Sequence, residues 1–181
     1  MRAYTGVGSR KTPNVVLGVM FSTARILARE RFILRSGGAG GADLAFEKGC
    51  GDLGKKDIYL PWPKFNANES GLFTPSATAF RIAEEFHPAW DSLSNAARKL
   101  MARNTHQILG FDCQHPSELV ICWTKDGGPT GGTGQAIRIA NHYNIPVFNL
   151  FNTLDVVALQ RWFKDNGMEW KYEQESSVTR V

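Results

Sequence analysis

The sequence predicts a Rossmann-like α/β fold: a three-layer αβα sandwich around a mostly parallel sheet. Three observations carry that expectation. Strand-like apolar runs alternate with segments of helical period along the chain, the order expected of a parallel sheet with crossover helices. The run Glu118-Leu119-Val120-Ile121-Cys122-Trp123 is continuously apolar after its first residue, as a strand covered on both faces must be. Glycine, 18 of 181 residues, is clustered where strands end rather than scattered.

Taken in order, Ala3 to Gly8 reads as a first strand closing in a glycine turn. Pro13-Asn14 then opens a helix whose apolar face carries Val16, Met20, Phe21, Ala24, Leu27 and Ala28. Phe32-Ile33-Leu34 is a second strand, stopped by glycines and followed by a short helix from Ala42 to Lys48. Asp57 to Trp62 is a third strand, ended by Pro61 and Pro63, and Lys64 to Thr74 is a polar loop with Asn66, Asn68 and Gly71. Helices are predicted over Ser76–His87 and Ser94–Leu109, separated by a break that begins at Pro88. The strand ending in Trp123 leads through the loop Thr124–Gly132 to a helix over Thr133–Tyr143. A strand over Val147–Leu150 and a helix over Leu154–Asp165 follow. Met168 to Tyr172 is a candidate edge strand, so residues 1–172 are expected to form one domain and 173–181 a polar tail.

The composition narrows the functional classes. Lys and Arg number 21 against 17 Asp and Glu, a net charge of +4 that tolerates a polyanionic partner without requiring one. Arg25, Arg29, Arg31, Arg98, Lys99 and Arg103 are the nearest thing to a basic stripe, and by pattern they read as solvated helix faces. No apolar run approaches the roughly 18 residues needed to span a bilayer. The amino terminus does not read as a signal peptide, and three cysteines cannot all pair, so a reducing cytoplasm is the expected location. Cys113-Gln114-His115 lacks a second ligand pair at zinc-like spacing, and no metal or cofactor is expected.

The chemistry sits at the turns. In an open parallel sheet, ligands bind beyond the carboxyl ends of the strands, near the switch in strand order. Gly8-Ser9-Arg10 places a hydroxyl and a guanidinium there, both suited to a phosphate or carboxylate. Ser36-Gly37-Gly38-Ala39-Gly40-Gly41-Ala42-Asp43 lacks the Cβ atoms that would hold an anion away from backbone N–H groups, and a helix starts just after it. Asp43 is a candidate helix cap or ribose ligand. The third turn, Gly127 to Gly134, brings the hydroxyls of Thr130 and Thr133 to another helix start, with Gly131, Gly132 and Gln135 beside them. The second turn is neither a Walker loop nor a standard dinucleotide fingerprint. Trp62 and Trp123 end two predicted strands, where each either stacks on a base or packs the rim. Arg103-Asn104 with His106 reads, by pattern alone, as a solvated face.

These motifs in this order, with Arg103-Asn104, Thr130-Gly131-Gly132-Thr133 and then Ala136-Ile137 and Ala140, resemble the SLOG superfamily. That group includes the DprA/Smf recombination mediators and the lonely-guy phosphoribohydrolases. The resemblance spans roughly residues 3–150 and is nearest to small stand-alone DprA-like proteins of the kind carried by bacteria and their phages. It implies a pocket lined by Ser9, Arg10, Ser36, Gly37, Gly38, Asp43 and Arg103, turning Arg103 from a solvated residue into a pocket residue. The extra domains of full-length recombination mediators have no counterpart in these 181 residues. The glutamate that follows the phosphoribohydrolase glycine turn is also missing, since Gln135 and Arg138 stand there.

The leading expectation is therefore a non-enzymatic protein that senses or sequesters a nucleotide or nucleotide-derived signal. The alternatives are a DprA-like single-stranded DNA binder, and a nucleotide N-glycosidic hydrolase built on Asp43, Glu47 or Asp126. A homodimer or higher homo-oligomer is expected. Its contact would be centred on Phe80, Phe86 and Trp90, unless these residues close the core instead.

Overall fold

The structure, a computed structural model, describes residues 2–52 and 54–170. Five strands form one wholly parallel sheet in the order β3-β2-β1-β4-β5. They are β1 (Ala3–Gly6), β2 (Ile33–Ser36), β3 (Lys56–Ile58), β4 (Val120–Cys122) and β5 (Val147–Asn149). The helices are α1 (Asn14–Arg29), α2 (Ala42–Cys50), α3 (Ala77–Phe86), α4 (Asn95–Leu109), α5 (Gly131–His142) and α6 (Thr153–Asp165). The chain order reverses direction across the sheet between β1 and β4, which makes that junction the switch point.

Strand side chains alternate between the two faces. Tyr4, Leu34, Ile121 and Phe148 pack with Met20, Leu27, Phe46, Leu159 and Phe163 from α1, α2 and α6. Val120 and Cys122 pack on the other face with Ile108, Leu109, Ile137 and Ile139 from α4 and α5. The layers are thus helix, sheet and helix, as the sequence predicts. The structure has the fold of a Rossmann-like sandwich.

Several boundaries differ from the sequence expectation, each for a local reason. β3 stops at Ile58 rather than Trp62, because the chain turns away after Tyr59 N donates to Ser36 O. Leu60 then closes the neck of the following loop by pairing with Leu72 and Thr74. Helix α5 begins at Gly131, two residues before the expected start. Met168 to Trp170 form no strand, and the rest of that expected edge strand, like the polar tail, lies outside the described residues.

The larger difference concerns α4. Its pattern reads as a helix with one apolar face, yet every residue from Ala102 to Leu109 is buried. The carboxyl half of α4 lies between the sheet and helices α3 and α5, so its polar side chains are interior fasteners. Upstream, Trp90 is 9% exposed and packs edge-on against Phe80 with Ala83 and Ala102 behind it, so Trp90 closes a small core of its own.

His106 is one of these fasteners. Ser76 N donates to its Nε2 (3.1 Å), its Nδ1 faces Gly110 O (3.0 Å), and its ring stacks on Tyr59. This arrangement requires a neutral imidazole with its proton on Nδ1, and burial lowers its pKa below the ordinary 6.5. A lowered folded-state pKa contributes stability that is present above 6.5 and lost as pH falls through the folded value. Denaturant titrations of the protein and of His106→Gln should therefore show the stability advantage of the parent shrinking below about pH 6.5. A constant difference from pH 8 to pH 5 would contradict this reading of His106.

Candidate functional site

Beyond the carboxyl ends of β1 and β2, the first two glycine turns meet back to back. Ser9 O accepts from Thr12 N (3.2 Å) and Ala42 N (3.4 Å), while Ser9 N donates to Trp123 O (3.2 Å). Gly41 has φ of 76°, and a Cβ there would stand 2.7 Å from Arg10 Cα, so the contact between the turns excludes a side chain.

Under the second turn lies a buried ion pair. Arg103 Nη1 donates to Gly37 O (2.6 Å) and sits 3.5 Å from Asp43 Oδ2. A Cβ at Gly37 would collide with the same guanidinium, so the glycine is the space that Arg103 occupies. Asp43 also accepts from Ala39 N (3.3 Å). Burial pushes the Asp43 carboxyl up from its usual range, opposed first by the Arg103 charge and then by the backbone N–H groups of Ala39, Gly8 and Gly37. Burial likewise pushes Arg103 down, against the pull of Asp43. Next in the chain, Asn104 Nδ2 donates to Gly132 O (2.8 Å) at the start of α5. Two consecutive residues of α4 thus fasten the turns that follow β2 and β4.

Above the second turn opens a cleft of about 690 Å³. One wall is Arg10, Gly38, Ala39 and Gly40, with Leu44 and Glu47 from the first turns of α2. The other wall is Asn66 to Ser70, from the loop that follows β3. Asn66 Nδ2 donates to Gly38 O (3.1 Å) and Asn68 Nδ2 to Glu47 Oε1 (3.0 Å), which holds this loop against the glycine turn. Within the loop, Phe65 faces the Arg103 guanidinium at 6.0 Å and meets Trp62 edge-on. Among the described residues, the N–H groups of Gly38 and Gly40 find no acceptor, Gly38 being buried and Gly40 half-buried, and the exposed Arg10 side chain makes no hydrogen bond. An N–H group without an internal acceptor beside an unpaired guanidinium is suited chemically to an anion.

The residues singled out in the sequence therefore separate into groups. Arg10, Gly38 and Ala39 line the cleft. Gly8, Ser9, Gly37, Asp43 and Arg103 shape its floor, as does Ser36, whose hydroxyl donates to Gly6 O. Gly131 and Gly132 belong to the third turn, which is outside the cleft wall and to which Asn104 of α4 is fastened, and Thr133 stands half-exposed in the first turn of α5. Thr130 donates its hydroxyl to Asp126 (2.8 Å). Gln135 is fully buried and reaches Ala83 O on α3. Trp123 is 8% exposed and packs in the core, and Trp62 is half-buried against Phe65. Of the three acids considered for hydrolysis, Asp43 is spent on Arg103 and Asp126 on Thr130, while Glu47 lines the cleft. Sequence reasoning missed Phe65 and gave no role to Asn66 or Asn68. A polar loop directly after a strand in such a sheet was the available signal.

No protein-family model and no curated protein matches this chain. Among solved structures, it is similar to DNA processing protein A from Helicobacter pylori, whose structure is described for a unique single-stranded DNA binding mode. The identity is 18%, with a TM-score of 0.58 over 93% of this chain and 74% of that one. The likeness establishes a shared Rossmann-like fold. Among the described residues, no helix is long and apolar enough to cross a membrane.

The buried pair yields a direct test. Arg103→Met removes the partner of a buried carboxylate and should destabilise the protein by about 3–5 kcal/mol in urea. Arg103→Met combined with Asp43→Leu should recover part of that loss, because no unpaired charge remains inside. Equal stability of parent and Arg103→Met would show that the pair does not organise this floor.

Proposed function

We propose that this chain binds single-stranded DNA, with one backbone phosphate seated in the cleft on the Gly38 and Gly40 N–H groups and the Arg10 guanidinium. The observation that carries the proposal is the exposed Arg10 guanidinium, without a hydrogen-bond partner, lining one cleft with the half-buried Gly40, whose N–H has no internal acceptor. Two further points support it. The fold is shared with a protein described for its single-stranded DNA binding mode. The order of the glycine and Arg-Asn motifs also resembles the DprA-like members of the SLOG superfamily. Arg103, held at 7% exposure, acts in this reading by shaping the turn, and Arg10 makes the contact.

A second reading, a nucleotide or nucleotide-derived signal held in the same cleft, is favoured by size. A cleft of about 690 Å³ falls in the range of roughly 300–1,000 Å³ typical of small-molecule sites. The two readings differ in salt dependence. A strand contacting several phosphates loses affinity steeply with ionic strength, with a slope of about −0.7 per phosphate neutralised. A mononucleotide releases few counterions.

Gly40 is the cleanest position for a test. A Cβ there meets nothing within 4 Å and the backbone is not left-handed, so Gly40→Val should fold normally while a branched side chain enters the cleft. Fluorescence anisotropy with a labelled oligonucleotide should show affinity falling about tenfold or more, the scale of losing one charge-assisted hydrogen bond. Unchanged affinity in a folded Gly40→Val would remove the phosphate from this cleft. Tight mononucleotide binding in calorimetry, with no measurable oligonucleotide binding, would select the second reading.

A further inference from the structure

A cleft of about 690 Å³ has room for a whole nucleotide, and a phosphate alone would leave most of it unfilled. What the rest of the ligand must offer follows from the groups in the lining. On the loop wall, the side-chain donors already engage the protein. Asn66 Nδ2 donates to Gly38 O, Asn68 Nδ2 to Glu47, and the Ser70 hydroxyl to Ile58 O (2.6 Å). Asn68 Oδ1 is also engaged, by Ser70 N (3.0 Å).

Glu47 stands apart from these. Among the described residues its half-buried carboxylate has no ion-pair partner and accepts hydrogen bonds from Asn68 Nδ2 alone. A carboxylate offers about four lone-pair sites, so most of its capacity is left. A ligand that covers it must bring donors, because burying the charge without them is costly. The same asparagine sets its place. A Cβ at Gly38 would stand 3.3 Å from Asn68 Nδ2, which lies 3.0 Å from Glu47 Oε1, so the carboxylate is one side chain away from the glycine turn. Leu44, one helical turn earlier on the same face of α2, is 42% exposed in the same lining and offers an apolar surface.

The four bases differ in what they can offer a carboxylate. Guanine sets two donors side by side on its Watson–Crick edge, N1–H and the N2 amino group, matching the two carboxylate oxygens. Adenine and cytosine present one amino group beside an acceptor nitrogen, and thymine one N–H between two carbonyls, so each would turn an acceptor toward Glu47. We propose that the cleft selects guanine, with Glu47 accepting from N1–H and the N2 amino group and Leu44 against the face of the base. The inference rests on the single-stranded DNA reading above and adds the identity of the base at the bound nucleotide. Glu69, exposed on the loop wall, is a second carboxylate in the lining. Together the two acids oppose a second phosphate in the cleft, so the strand enters it by one phosphate and one base.

The test measures anisotropy of three labelled strands of equal length on the full chain. They are oligothymidylate, alternating thymidine and deoxyguanosine, and the same alternating strand with deoxyinosine, which lacks the N2 amino group, in place of deoxyguanosine. The parent should bind the guanine strand about tenfold more tightly than oligothymidylate, the scale of one bidentate contact. The inosine strand, which needs no protein variant, should lose most of that gain. Glu47→Gln keeps an oxygen for Asn68 but sets an amide donor against the donors of guanine, so the ratio of the two affinities should fall to about one. Equal binding of all three strands by the parent overturns the guanine inference and leaves the DNA reading standing. A preference that survives both Glu47→Gln and inosine undiminished also overturns it, because guanine would then be read elsewhere or by stacking alone. If no strand binds the parent protein, the DNA reading falls and the guanine inference falls with it.

Discussion

Arg103 reaches from the middle of α4 to the underside of the second glycine turn, where it meets the Gly37 carbonyl and the Asp43 carboxylate at once. Both charges are removed from water, so each depends on the other. Losing one partner of such a pair costs far more than the pair contributes over an apolar substitute. What the pair supplies is therefore definition. It fixes where the turn passes, requires glycine at position 37, and holds the start of α2 beside the first turn. With Asn104 fastened to Gly132, α4 acts as a strut that sets two strand-end turns from beneath.

The cleft follows from that constraint. With the Gly37 carbonyl held by Arg103, Gly38 and Gly40 line the cleft, and among the described residues neither N–H has an acceptor. The loop after β3 forms the opposite wall, although three of its residues, Lys64, Asn66 and Ala67, have left-handed backbone geometry without being glycine. Such conformations are uncommon and have to be held by their surroundings. Here the hydrogen bonds from Asn66 to Gly38 and from Asn68 to Glu47 hold them. The lining of the cleft carries both signs: Arg10 and Glu47 stand on the glycine-turn wall and Glu69 on the loop wall. That arrangement favours a ligand that carries hydrogen-bond donors as well as an anion.

The layered architecture was legible because it is written in periodicity: alternating strands and helices, and glycine at strand ends where backbones must approach closely. The site was legible only in part. Gly8, Gly37 and Gly41 announce themselves by composition, but the reason for Gly37 is a side chain 66 residues away. Arg103, Asn104 and His106 looked solvated because helical period cannot distinguish a polar face turned to water from one sandwiched between layers. Only the resemblance to known proteins raised Arg103. Gln135 and Trp123 occupy rim positions in the sequence and yet point inward, because burial depends on which helix covers the strand end. Phe65 had no signal of its own. Its place over Arg103 depends on a loop shape that local residues do not specify.

The central claim is that the free N–H groups of the second turn, rather than the third, receive a phosphate. Amide chemical-shift mapping on the labelled protein tests this most directly. On titration with a short oligothymidylate, the account predicts saturable shifts concentrated at Gly38 and Gly40, with the Arg10 side chain responding and with Gly131 and Gly132 at the start of α5 unmoved. Shifts confined to Gly131, Gly132 and Thr133, with Gly38 and Gly40 silent, would contradict it.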